Sequence, residues 1–395
     1  MKDEKKAPKL RFKVFTDDWE QCKLGDVAKI TMGQSPNSNN YTSNPKDYIL
    51  VQGNADMKNG QVHPRVWTTE VTKTASKGDL ILSVRAPVGD VGKTGYDVVI
   101  GRGVAAIQGN EFIYQLLRQM KAAGYWTRFS TGSTFESINS FEIHNAVINL
   151  PDKHEQIEIG KLLLSFDRII TLHEEKKRQL ERLKSALLQK MFAEKQGYPV
   201  VRFKGFCDEW QGTKLGKVSK IVRGASPRPI SDPKWFDNDS NVGWLRISDV
   251  TSQDGRIHHL EQHISKQGQA KTRVISEPHL LLSIAATVGK PLINYVKTGV
   301  HDGFLIFIEP HFDLEFMFQW LEMFRPQWSK YGQPGSQINL NSDLVKNQII
   351  YLPSREEQNQ IGIFFNQIDS LINLHQQKIN NINSVKKSLL QKMFI

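Results

Sequence analysis

The chain repeats itself, and whatever fold it adopts must accommodate that repeat. Residues 151–192 return as 353–394, ungapped at an offset of 202, with 17 of 42 positions identical. The identities include Glu155/Glu357, Gln156/Gln358, Gly160/Gly362, Asp167/Asp369, His173/His375, Lys176/Lys378 and the closing Leu-Leu-Gln-Lys-Met-Phe. Each copy opens with a Pro and a capping box, Asp152-x-x-Glu155 and Ser354-x-x-Glu357, the signature of a helix start. The apolar seam of the first is Ile159, Leu162, Phe166, Ile169, His173, Lys176, Leu180, Leu183, Leu187 and Lys190. The second runs Ile361, Phe364, Ile368, Leu371, His375, Lys378, Ile382, Val385, Leu389 and Lys392. Steps of three and four are the heptad spacing of a coiled coil. Two such helices in one chain predict an antiparallel intramolecular pair, with a polar layer of His173, Lys176, His375 and Lys378 setting its register.

A second repeat precedes each helix. Residues 8–36 match 199–227 at 16 of 29 positions, through Arg11-Phe-Lys13/Arg202-Phe-Lys204, Trp19/Trp210, Leu24-Gly25/Leu215-Gly216, Gly33/Gly224 and Ser35-Pro36/Ser226-Pro227. The plan is block, helix, block, helix: an N-terminal segment 1–13, a block 14–150, a helix 151–195, a block 196–352 and a helix 353–395. Short apolar runs bounded by turn residues predict strands at Tyr48–Val51, Leu80–Ser83, Val98–Ile100, Trp244–Ile247, Leu280–Ile284 and Phe304–Ile308. Helical patterns follow at Phe112–Ala123 and Leu314–Phe324. The expected class is α/β (α+β), two globular blocks separated by the helix pair. Because residues 8–13 echo the segment after the first helix, the termini are expected near the same end of the coiled coil as the block-to-helix connection around 193–200.

Composition narrows the function. No run of 18 apolar residues spans a membrane, and Met1–Lys6 lacks a signal region. Two cysteines, Cys22 and Cys207, suit a reducing cytoplasm and no disulfide framework. The net charge of +11 is spread as +4 over residues 1–13, 0 over 14–150, +2 over 151–192, +3 over 193–352 and +2 over 353–394. Gly89-Asp-Val-Gly-Lys93-Thr94 has Pro87 where a phosphate-binding loop needs Gly. Esterase, zinc-protease and adenine-methyltransferase signatures are absent from the sequence. The expectation is no catalytic and no metal-binding residues.

Cations beside Gly, Pro or Ser turns suit phosphate or base-edge contacts: Arg85, Lys93, Arg102, Arg128, Arg223, Arg228, Arg246 and Lys290. Ser35, Ser133, Ser226, Ser336 and Gln337 complete the candidate DNA-binding set. Trp19 and Trp210 are read as core or helix-docking aromatics.

The whole plan resembles the specificity subunit of type I restriction-modification enzymes, a cytoplasmic bacterial family. The resemblance rests on Trp19…Ser35-Pro36 and Trp210…Ser226-Pro227, on Ser83-Val-Arg-Ala-Pro-Val-Gly89, and on Leu150-Pro151…Glu155-Gln156 and Leu352-Pro353…Glu357-Gln358 with the closing motifs. It implies two target-recognition domains, each reading one half of a bipartite, asymmetric site in double-stranded DNA. It also implies helices that space the halves and dock two modification (methyltransferase) subunits, to which two restriction (translocase/endonuclease) subunits can add. S-adenosylmethionine, ATP and Mg would then act on the partners, with no cofactor and no catalysis in this chain. The low block charges fit if the partners neutralise much of the phosphate backbone. The alternatives are a coiled-coil interaction scaffold without DNA binding, or a self-contained DNA nuclease or methyltransferase.

Overall fold

A computed structural model describes residues 7–129, 137–193, 197–284, 287–331 and 340–395. The two long helices are Lys153–Met191 and Arg355–Met393. The chain divides into two compact units, Met1–Glu174 with Gln377–Ile395, and Glu175–Gln376. Each unit therefore holds one block and a segment of both long helices.

In the first unit a six-stranded sheet has the order Ile30–Met32, Val104–Ile107, Leu80–Ser83, Val91–Lys93, Gln61–Val62, Met57–Lys58. Strand Leu80–Ser83 is buried throughout, because both of its faces are covered. Leu80 and Leu82 join Ala105 and Ile107 against the helix Glu111–Ala122. Ile81 faces the other way with Val104 and Ala106, toward Val51, Val98 and Ile100 of a five-stranded sheet. Side chains alternate across a strand, so one short run serves two cores. The helix Glu111–Ala122 starts at Asn110, whose side chain accepts from Ile113 N, a standard N-cap.

The second unit repeats the scheme. Lys220–Arg223, Phe304–Ile308, Leu280–Ser283, Pro291–Asn294 and Arg256–Ile257 form its larger sheet. Leu280, Leu282, Leu305 and Phe307 face the helix Leu314–Phe324, while Leu281, Phe304 and Ile306 face Leu245 and Val300 of a three-stranded sheet. The predicted strands and helices form within a few residues of their expected limits. In each block a two-stranded ribbon, Glu20–Lys23 with Val147–Leu150 or Gln211–Lys214 with Ile349–Leu352, joins the start of the block to the start of a long helix.

Within each unit the two helix segments run antiparallel. In the first, Ile159 and Leu163 share a core with Met393 and Phe394. In the second, Met191 and Phe192 share one with Ile361 and Phe365. The repeated Met-Phe ending thus plugs a block core in each case. Phe394 lies 5.0 Å from Phe112 and Phe192 lies 5.1 Å from Phe316. Gly160 and Gly362 admit a close approach of the long helix to the domain helix, since a Cβ there would lie 3.2 Å from Phe112 N and 3.0 Å from Phe316 N.

Two expectations need correction. The capping boxes are half right. Asp152 Oδ1 accepts from Glu155 N at 3.2 Å and Ser354 Oγ accepts from Glu357 N at 3.3 Å. The glutamates do not reach back to the cap. Glu155 is fully buried and accepts from Arg11 twice at 2.7 Å and from Trp19 Nε1 at 3.2 Å. Glu357 makes the same clamp with Arg202, at 2.7 and 2.8 Å, and with Trp210 at 3.2 Å. This explains Arg11/Arg202 and Trp19/Trp210 and bears out the helix-docking reading of the tryptophans.

The heptad seam is displaced. Ile169 is 42 % exposed while Ile170 is buried, and Val385 is 50 % exposed while Lys386 is buried. Lys176 and Lys378 lie on the exposed surface, whereas His173 and His375 are half-buried. A heptad assumes a single neighbouring helix; here each helix divides its buried face between the other helix and a block, which rotates the buried line.

Leu10 N–H bonds to Lys392 O within the first unit, and the repeat-equivalent bond, Val201 N–H to Lys190 O, forms within the second.

Burial raises the Asp167 carboxyl, but Arg118 and Lys386 outweigh it and hold it below the usual carboxylate range. A depressed acid contributes stability above its unfolded value of about 3.9, lost as pH falls through the folded value. Below about pH 4 the first unit is expected to lose stability more steeply than an Asp167→Asn variant, as read by chemical denaturation across pH 2–6. Parallel acid limbs would refute the assignment.

Candidate nucleic-acid interface

Each block carries one loop frame built twice. In the first, Gly33 N bonds Val104 O at 3.0 Å, and a Cβ on Gly33 would strike Gly101 O at 2.1 Å. Backbone thus crosses backbone there, which only glycine permits. Two residues on, Ser35 Oγ accepts from Arg102 N at 3.1 Å. In the second block Gly224 N bonds Phe304 O at 2.9 Å, with His301 O 2.1 Å from its would-be Cβ. Ser226 Oγ accepts from Asp302 N at 3.2 Å. The repeated Gly-x-Ser-Pro is therefore a clip that fixes the turn 101–103 or 301–303. The clipped position carries Arg102 in one block and Asp302 in the other.

Around Arg102 lies a cleft of about 680 Å³ lined by Ser35, Gln52, Asn54, Asp56, Arg65, Arg85 and Pro87. Arg85 and Arg102 are exposed and form no ion pair among the described residues. Arg65 is held by the buried Asp56 at 3.0 Å, and Gln52 Nε2 donates to Tyr41 Oη at 2.7 Å. The cleft thus combines two open guanidiniums with amide groups, the side chains that read guanine and adenine edges.

The second block differs at the same frame. Asp302 accepts from Ser226 Oγ at 2.8 Å and from Arg228 at 2.6 Å, while Arg223 Nε donates to the Asp302 carbonyl at 2.6 Å. Burial raises the Asp302 carboxyl, but the Ser226 hydrogen bond and nearby positive groups hold it below its ordinary value. His301 is pulled down, first by burial; its Nδ1 accepts from Gly303 N at 2.8 Å.

The structure gathers Ser35, Arg85 and Arg102 in one cleft and Arg223, Ser226 and Arg228 around Asp302. It disperses the others. Lys93 is bound to Glu111 at 2.6 Å beside Tyr114. Arg246 is shared between Asp249 at 3.0 Å and Glu261 at 3.1 Å. Lys290 lines a different cavity, with Lys184, Glu322 and Asp369. Arg128 lies 3.4 Å over the Tyr125 ring. Ser133, Ser336 and Gln337 fall outside the described residues. Sequence reasoning missed Gln52, Asn54, Arg65 and Asp302. Asp302 could have been found by aligning His301-Asp-Gly303 with Gly101-Arg-Gly103. Among the described residues no cluster of His, Cys, Asp or Glu could hold a metal ion, and no helix is long and apolar enough to cross a membrane.

Two blocks carry one loop frame with different groups displayed on it, and each is joined to segments of both long helices. Residues 16–182 and 207–384 match the family model described as the type I restriction modification DNA specificity domain, and the chain belongs to that family. The chain is 23% identical over 398 residues to the specificity subunit of the type I restriction enzyme MjaVIII from Methanocaldococcus jannaschii, covering 95% of this chain and 91% of the relative. It is 32% identical over 180 residues to a relative from the same organism ascribed to the enzyme MjaX as its specificity subunit. That match covers 44% of this chain and 42% of the relative, under half the relative's length. The fold is that of the S subunit of the type I restriction-modification system from M. genitalium, with a TM-score of 0.65 at 14% identity over 98% of this chain and 99% of that one. A chain from a structure concerned with complex assembly and conformational transition of the type I R-M system superposes at 0.56, with 18% identity over 95% and 97% of the two chains.

Proposed function

We propose that each block reads one half of a bipartite DNA site, and that the long helices set the spacing and dock methyltransferase subunits. The observation that carries this is the doubled frame: the same glycine and serine clip displays Arg102 in one block and Asp302 in the other. A shared scaffold with an altered residue at its tip suits two readers of different bases. Arginine favours guanine, and a carboxylate accepts from the cytosine amino group.

Docking of two copies of one partner is supported by exposed apolar side chains at repeat-equivalent places: Ile169/Leu371, Leu172/Leu374 and Leu183/Val385. Single exposed apolar residues are ordinary; the same ones left open twice fit two identical contacts. S-adenosylmethionine, ATP and Mg are assigned to the partner subunits, methyl transfer to the methyltransferases, and cleavage, where a restriction subunit joins, to that subunit.

The test is co-expression of the chain with its methyltransferase partner, followed by genome-wide mapping of methylated adenines. The expected map is one split motif with a fixed spacer. Exchanging block 14–150 for that of a relative should change one half-motif alone. A change in both halves, or no motif at all, would overturn the reading.

A further inference from the structure

Each unit contains a carboxylate that ties both long helices to the domain helix. In the first unit Asp167, on the first long helix, accepts from Lys386 Nζ of the second long helix at 2.5 Å. It also accepts from Gln115 Nε2 at 2.8 Å and Arg118 at 3.1 Å, both on the domain helix. In the second unit Asp369, on the second long helix, accepts from Lys184 Nζ of the first at 2.5 Å. Gln319 Nε2 of the domain helix donates to it at 2.8 Å and Arg256 at 3.1 Å.

The arrangement is reciprocal. Asp167/Asp369 and Lys184/Lys386 are both identities at the 202 offset, so the same two positions meet in both units with the helices exchanging roles. The lysines are removed from solvent, at 4 % side-chain exposure for Lys386 and 16 % for Lys184. Gln115 and Gln319 are fully buried, and in both the Oε1 atom has no hydrogen-bond partner among the described residues. An unsatisfied buried carbonyl is unfavourable, and it is tolerated twice at the same node. The guanidinium has been replaced rather than lost. Counting from Gln115/Gln319, the place of Arg118 is held by Glu322, and Arg256 reaches Asp369 from a strand instead.

We infer that Asp167 and Asp369 are the register-determining positions of the helix pair, each locking one helix against the other and a recognition block onto both, and so selecting the spacer between the DNA half-sites. An apolar seam alone tolerates a slip of one heptad, about 10 Å at 1.5 Å per residue. That is about three base pairs, at roughly 34 Å per ten. A slip here would strand two buried lysines and two aspartates, which an apolar seam would not forbid. The spacer part rests on the proposed function; the register part does not.

The experiment uses the full chain with its methyltransferase partner and a panel of duplexes carrying both half-sites at the native spacer and at one to three base pairs more or fewer. The parent protein is expected to favour its own spacer at least about 10-fold, roughly 1.4 kcal/mol. The double variant D167N/D369N should discriminate less than about 3-fold while keeping its half-site sequences. A second variant, K184M/K386M, leaves the aspartates bound to their Gln and Arg partners and should behave alike. Discrimination retained in either folded variant would overturn the spacer assignment. Register is read without DNA by joining the cysteine pair K177C/Q376C with a short bismaleimide, since the parent side chains meet at their tips, 2.8 Å apart, in a background with Cys22 and Cys207 changed to serine. Its crosslinking yield should fall at least about twofold when D167N/D369N is added; an unchanged yield would overturn the register assignment even if no duplex is bound specifically.

Discussion

Glu357→Ala is expected to destabilise the second unit by about 3–5 kcal/mol, the range for breaking a buried ion pair from one side. Glu357 is 1 % exposed, and the Arg202 side chain it binds is 14 % exposed. Removal leaves a guanidinium and the Trp210 indole N–H facing an empty site, and it frees the segment around Arg202 from the helix start. Glu155→Ala should do the same to the first unit, where Arg11 and Trp19 are the orphans. Denaturant unfolding of each variant gives the value, and a loss under about 1 kcal/mol would show that the clamp adds little beyond the neighbouring core. Substituting Arg202→Met together with Glu357→Leu should recover much of the loss, since apolar groups of similar volume often replace a buried pair without cost.

The second large effect concerns recognition. Arg85→Ala with Arg102→Ala should abolish sequence preference in the half-site read by the first block. Each bidentate base contact contributes about 1–3 kcal/mol of discrimination, so the pair removes roughly 30-fold to 10⁴-fold. The other half-site should keep its preference, because Asp302, Arg223 and Arg228 are untouched. Competition between duplexes altered in one half at a time measures this. Equal loss in both halves would mean that the arginines hold phosphates rather than bases. Lys93→Ala serves as a contrast. Its ammonium is held by Glu111, and its removal should leave both preferences intact.

Much of the architecture was legible because the chain states it twice. The Gly33/Gly224 and Ser35/Ser226 identities marked the loop frame, and Trp19/Trp210 marked the helix clamp. What failed was anything decided by a neighbour remote in sequence. Glu155 looked like half of a capping box because its true partner, Arg11, lies 144 positions away. Ile169 looked like a seam residue because a heptad counts one neighbour, and this helix has two. Lys93 looked like a free cation beside a turn because Glu111 meets it only in space; Arg246 is held both by Asp249, three residues on, and by the more distant Glu261. Asp302 escaped notice because an acid is not sought in a DNA reader, although its place in the repeat singled it out.

The division of the molecule also governs how it comes off the ribosome. The second unit is one continuous stretch, Glu175–Gln376, and can complete itself as that stretch emerges. The first cannot. Its core needs Met393 and Phe394 beside Trp19 and Phe112, and its half-buried Asp167 needs Lys386. The 202 residues from Glu175 to Gln376 must be made first, which at about 5–20 residues per second takes roughly 10–40 s. Through that interval the nascent first block presents an unsealed apolar face while its neighbour folds. Synthesis, rather than the finished structure, is where this protein is most exposed to misfolding, and chaperone dependence should track the first block.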